Sequence, residues 1–111
     1  MMLNEVVLVG QLANKPVVGE TQQGIKIATM VLQVYRPYRN NLGIQETDYI
    51  NCTLWKGIAS QVADCCKIGS VLGVKGRLIS RSVELSNGEA VLLMEVKVEN
   101  VVFFDKYLTK K

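Results

Sequence analysis

The 111-residue chain has no histidine, two prolines, three cysteines and one tryptophan. Without histidine there is no Ser-His or Cys-His pair for nucleophilic chemistry. Cys52, Cys65 and Cys66 are odd in number, two are adjacent, and no C-x-x-C pair occurs. They read as small buried hydrophobes in a reducing compartment, not as a zinc site or a disulfide framework. Walker A and G-x-G-x-x-G sequences are both missing, which removes the usual phosphate cradles. No apolar run approaches the roughly 20 residues needed to span a bilayer. The start, "MMLNEVVLVG", lacks the basic region and small-residue cleavage site of a signal peptide. The ten carboxylates are scattered, and Glu84, Glu89, Glu95 and Glu99 read as the solvated side of strands. These absences predict a cytoplasmic protein that is not an enzyme, holds no metal or cofactor and engages no membrane.

What is present suits one β-rich domain. Hydrophobic residues make up 49%, enough for a core and too many for a disordered chain. β-branched runs alternate with Gly, Asn and Pro. "NEVVLVGQL" reads as a first strand, and "NKPVVGETQQG" as a loop or short strand with turns. "IKIATMVLQVYR" is the second long strand. "PYRNNLGIQE" follows as an exposed loop, because Pro37, Asn40, Asn41 and Gly43 disfavour a continuing ladder. "TDYINCTLW" is the third strand. In "GIASQVADCCK" the period changes: Ile58, Ala59, Val62, Ala63 and Cys66 recur at helical spacing, with Gly69 placed as a C-cap. "SVLGVKGRLISRSVEL" is a fourth strand, Asn87-Gly88 a hairpin turn, and "EAVLLMEVKVENVVFF" closes the sheet. A helix between the third and fourth strands is the layout of a five-stranded OB-fold Greek-key barrel. An SH3-like barrel or a split sandwich stays open on strand count alone.

The third strand raises a question about its polar face. At strand period, Ile50, Cys52 and Leu54 share the face to bury, while Tyr49, Asn51, Thr53 and Trp55 share the other. In the fourth strand Leu72, Val74, Gly76 and Leu78 turn one way; Lys75, Arg77, Ile79, Arg81 and Val83 turn the other. One outer face thus offers rings and the other offers cations. Net charge is only +3, yet residues 22–81 alone carry +5 and the flanks −2. Single-stranded nucleic acid requires cations along its phosphates and flat rings for its unstacked bases. Tyr49 and Trp55 lie about 20 Å apart at strand rise, far enough to serve separate bases. "YRPYR" adds Arg36, Tyr38 and Arg39 to the same pattern.

With those residues in view, the chain resembles the bacterial single-stranded DNA-binding proteins of the OB-fold class along nearly its whole length. "LNEVVLVGQL", "TDYINCTLWK" and "KIGSVLGVKGRLISR" carry the likeness, and "NCTLW" is similar to the Firmicute branch. The resemblance implies a homotetramer, built as a dimer of dimers, on which single-stranded DNA wraps. It implies base stacking on Tyr38, Tyr49 and Trp55. Phosphate or polar contacts then fall to Arg36, Arg39, Asn51, Thr53, Lys56, Lys75, Arg77 and Arg81. The first strand, through Val6, Val7, Leu8 and Val9, would pair with a neighbouring subunit.

Departures accompany the likeness. Gln11 stands where the family usually has Arg, Ile68 at a common Lys position, and Val83 where a stacking aromatic is expected. Weaker binding with a shallower salt dependence follows as an expectation. The family's long tail with an acidic tip has no counterpart in "FFDKYLTKK", so residues 1–111 are expected to form one domain ending in a short basic terminus from about 106. Recruitment through an acidic tail is not expected. Two other roles remain open at this point: an OB-fold interaction protein of the primosome type with weak DNA affinity, and an RNA-binding OB domain.

Overall fold

A computed structural model describes residues 1–104. The expected basic terminus, residues 106–111, lies outside the described residues. Six strands and one helix follow in the order β1 (Val6–Leu12), β2 (Val17–Glu20), β3 (Lys26–Arg39), β4 (Gln45–Trp55), α1 (Lys56–Cys65), β5 (Val71–Glu84) and β6 (Ala90–Phe103). Strands β1, β5, β6, β4 and β3 form a sheet that closes where β1 returns to β3 at Gln11–Gln33 and Leu12–Leu32. Most neighbours are antiparallel; β4 and β6 run parallel, pairing Cys52 with Val96 and Thr53 with Lys97. The five-stranded barrel with a helix leading out of β4 is the OB fold. Short β2 is the segment read as a loop or short strand, and it hangs on the free edge of β3 at Lys26–Thr29.

The barrel interior follows the period-2 pattern of its strands. Ala28, Met30 and Leu32 from β3 meet Cys52 and Leu54 from β4, Leu72 and Val74 from β5, and Val96 and Val98 from β6. Helix α1 contributes Ala59 and Val62, both fully buried, so its apolar stripe faces this core. Burial pushes the Cys52 thiol up to about 12, with the Glu95 charge adding to the rise. Gly10 allows the closure: a Cβ there would lie 2.4 Å from the Gln33 carbonyl oxygen.

Three hairpins share one turn. Residues 22–24, 41–43 and 86–88 each form a three-residue loop whose last member is a glycine at positive φ (81°, 78° and 88°). In each, the residue before the loop pairs through its N–H with the carbonyl beyond it: Thr21 with Ile25, Asn40 with Ile44, Leu85 with Glu89. Glycine meets the left-handed conformation without a Cβ penalty.

Three sequence expectations are corrected. Half of "PYRNNLGIQE" is strand, with the Asn40–Ile44 turn between β3 and β4. The ladder skips between Tyr35 and Arg39 instead of stopping, so Pro37 sits where no donor is required. Gly69 does not cap the helix. Cys66 takes that place in an extended conformation, while Gly69, at φ 93°, donates to the Leu12 carbonyl at 2.8 Å. Leu78 is 39% exposed because β1 ends at Val6, opposite Gly76. From Ile79 and Glu95 outward β5 and β6 pair only with each other, as an arm standing off the barrel. Asn4 satisfies the Leu78 backbone in place of a strand, accepting from its N–H at 2.9 Å and donating to its carbonyl at 2.7 Å.

Candidate nucleic-acid interface

The outer face of β3 and β4 is set by the same pairing that fixes the core. Thr29 lies opposite Thr53, Val31 opposite Asn51, Gln33 opposite Tyr49 and Tyr35 opposite Thr47. The β5–β6 arm rises beside this face and encloses a groove of about 230 Å³. Asn14, Thr29 and Asn51 line one side of it; Arg81, Leu93 and Met94 line the arm side. Tyr49 (65% exposed) and Tyr38 (64%) project into solvent, one on the face and one within the β3 irregularity. A ring left this open has lost little solvent on folding and keeps its π-face for a ligand.

Trp55 differs from the tyrosines. It is only partly exposed, its indole Nε1 is buried without a hydrogen-bond partner, and the Lys97 ammonium stands over the ring, 5.3 Å from its centroid. The chain leaves Trp55 through Lys56 at φ 54°, a left-handed turn that starts α1 and leaves the Lys56 side chain exposed. A cation over an indole at this range is worth about 0.5–1 kcal/mol at an exposed site.

Thr53 does not fit the role expected of it. The residue is buried, and its hydroxyl donates to Glu95. Glu95 in turn accepts from Arg81 at 2.5 Å and is itself buried. It is therefore not on the solvated side of its strand: the arm folds it against β4, so a carboxylate sits at the base of the groove. Asn51, by contrast, is exposed.

Four of the six expected phosphate cations already hold carboxylates. Arg36 donates to Asp48 at 3.0 Å and lies 3.6 Å from Glu46; Lys75 meets Glu5 at 3.1 Å; Arg77 lies 3.7 Å from Glu99; Arg81 meets Glu95. The Arg36 hydrogen bond holds the Asp48 carboxyl below its ordinary range, and Asp48 raises the guanidinium in return. The Arg36, Lys75 and Arg77 pairs are solvent-exposed and worth about 0–1 kcal/mol each, so a phosphate can replace the carboxylate there. Arg39 donates to the Gly43 carbonyl at 2.9 Å and braces its own turn. Lys56 has neither a carboxylate nor a ring partner among the described residues.

Lys75 lies apart from the groove. It lines a second concavity of about 190 Å³ with Val7, Val9, Asn100 and Val102. There β1 exposes Val7 and Val9, while Val6 and Leu8 turn inward to pack on the core. Of the four residues expected at a subunit interface, only Val7 and Val9 thus face outward. Among the described residues, β1 pairs on its β3 side only at Gln11 and Leu12, so Val6–Val9 present an open strand edge.

Periodicity read Glu95 as solvated and passed over Lys97. Their signal is the alternation "EVKVE", which places Val96 and Val98 inside and Glu95, Lys97 and Glu99 outside. Which ring or carboxylate each meets depends on the parallel β4–β6 pairing, and no local pattern reveals that.

Residues 3–104 match the model of the Single-strand binding protein family. Single-stranded DNA-binding protein A of Bacillus subtilis is 43% identical over 104 residues, which is 94% of this chain and 60% of that protein. Single-stranded DNA-binding protein 3 of Listeria innocua is 41% identical, over 94% of this chain and 65% of its own length. The chain therefore spans less than two thirds of these two relatives. Single-stranded DNA-binding protein B of Bacillus subtilis is 41% identical over 94% of this chain and 92% of its own.

Proposed function

This chain belongs to the Single-strand binding protein family, and from that premise we propose that it coats single-stranded DNA without regard to sequence and without enzymatic chemistry. It would protect the strand and keep it unpaired during replication, recombination, repair or DNA uptake. One observation carries the reading: Tyr49, Asn51 and Trp55 share the outer face of β4 beside an open groove whose far wall holds Arg81. Tyr38, Tyr49 and Trp55 stack on bases. Arg36, Arg77 and Arg81 meet phosphates after exchanging their carboxylates, Arg39 after leaving its turn carbonyl and Lys56 directly, and Asn51 hydrogen-bonds. Thr53 acts through Glu95 and Arg81 instead of touching the strand.

The protein assembles as a homotetramer in the cytoplasm, on the nucleoid, with the open β1 edge and the apolar Val7–Val9 face as the first contact. No helix among the described residues is long and apolar enough to cross a membrane. The internal ion pairs add to the losses at Gln11, Ile68 and Val83, and together they support weak binding with a shallow salt slope. The triple change Gln11→Arg, Ile68→Lys, Val83→Tyr is then expected to tighten binding.

The test is competition against a labelled oligo(dT). Unlabelled single strands of mixed sequence are expected to displace it at similar concentrations, duplex of the same length poorly. Displacement by RNA at equal or lower concentration favours an RNA-binding domain, since OB surfaces tolerate either sugar. Absence of binding to any strand moves the reading to an interaction protein.

A further inference from the structure

Among the cations on this sheet, Lys97 alone is tied to a ring. Arg36, Lys75, Arg77 and Arg81 each hold a carboxylate. Lys97, half-buried on β6, sits opposite Thr53 of β4 and Arg77 of β5, and its ammonium lies over Trp55. Its only recorded partner among the described residues is that indole.

A base that stacks on the covered face of Trp55 must first displace this ammonium. Lysine carries its charge on a flexible four-carbon stem, so the displaced group swings locally while the β6 backbone stays paired. The stacked nucleotide brings a phosphate of the opposite sign to the same place. A stacked base is the stronger partner for the indole, and a phosphate is a stronger partner for an ammonium than a neutral ring is.

We propose that Lys97 is a further DNA-contacting residue, which shields Trp55 in the free protein and passes to the phosphate of the nucleotide that stacks there. The inference rests on the single-strand binding reading and adds one contact to it. Its consequence is quantitative. One phosphate contact on a single strand contributes about 0.7 to the slope of log K against log salt. At 0.1 M salt, the loss of that contact amounts to about a fivefold weakening.

The experiment measures fluorescence anisotropy of end-labelled oligo(dT) at several salt concentrations, for wild type, Lys97→Gln and Lys97→Met. Methionine keeps the apolar stem against the sheet, so it separates charge from packing. Both variants are expected to bind about fivefold more weakly at 0.1 M salt, with the slope shallower by about 0.7. Variants that bind as tightly as wild type with an unchanged slope overturn the proposal and leave Lys97 as a cover for the ring. Weakening with an unchanged slope also overturns it, because a packing role then accounts for the loss. Wild-type protein that does not bind the oligonucleotide overturns the single-strand reading, and this inference with it.

Discussion

Glu95→Gln is the substitution whose outcome the groove geometry constrains most. The carboxylate accepts from the Thr53 hydroxyl on one oxygen and from Arg81 on the other. Glutamine has the same shape: its carbonyl accepts from Arg81 and its amide donates to the Thr53 oxygen. Stability is therefore expected to fall by no more than about 1 kcal/mol, the value of a charge-assisted hydrogen bond above a neutral one. The electrostatic effect runs the other way. The groove loses a negative charge, and Arg81 no longer gives up a charged partner when it meets its phosphate. The number of phosphate contacts is unchanged, so the salt slope is expected to stay the same while binding tightens about fivefold, the equivalent of about 1 kcal/mol. Glu95→Ala is the control: it strands the buried Thr53 hydroxyl, at a cost of about 1–3 kcal/mol, or roughly 10 °C in Tm. Anisotropy titration and thermal unfolding read both quantities. Glu95→Gln protein with unchanged affinity would refute the claim that Arg81 meets the strand.

Gly10→Ala drives a Cβ into the Gln33 carbonyl where the barrel closes, and should cost about 1–3 kcal/mol, visible as a lower urea midpoint at unchanged m-value. Arg36 depresses the Asp48 pKa, so that pair stabilises the fold above the ordinary carboxylate value of 3.8 and is lost as pH falls through the depressed value. The stability gap between wild type and Arg36→Gln should accordingly be constant near neutrality and close in acid, as urea titrations below pH 4 would reveal. Charges on the open strand, Val7→Glu with Val9→Glu, should reduce the assembled mass seen by light scattering while the barrel stays folded; unaltered mass would place any subunit contact elsewhere.

The sequence made the barrel legible wherever a residue's environment depends on its own strand. Ile50, Cys52 and Leu54 point inward and Tyr49 and Asn51 outward, as their alternation requires. The helix after Trp55 announced itself through Ala59 and Val62. Failures cluster where a distant segment decides. Thr53 alternates correctly onto the outer face, yet the β5–β6 arm covers it with Glu95, 42 residues away. Pro37 reads as a strand breaker because its missing donor is costly in a ladder, but the irregularity between Tyr35 and Arg39 leaves that position unpaired. The basic middle of the chain was visible as composition. Its neutralisation by Glu5, Glu46, Asp48, Glu95 and Glu99 was not, because ion pairs across strands leave no periodic trace.

Trp55 is the chain's one indole, so tryptophan emission titrated with oligo(dT) at rising salt reports on the proposed face alone. Saturable quenching that weakens as salt increases is the predicted result, with Lys97 leaving the ring as a base arrives. Emission that stays constant while anisotropy records full binding would put the strand elsewhere on the barrel and contradict the assignment of this face.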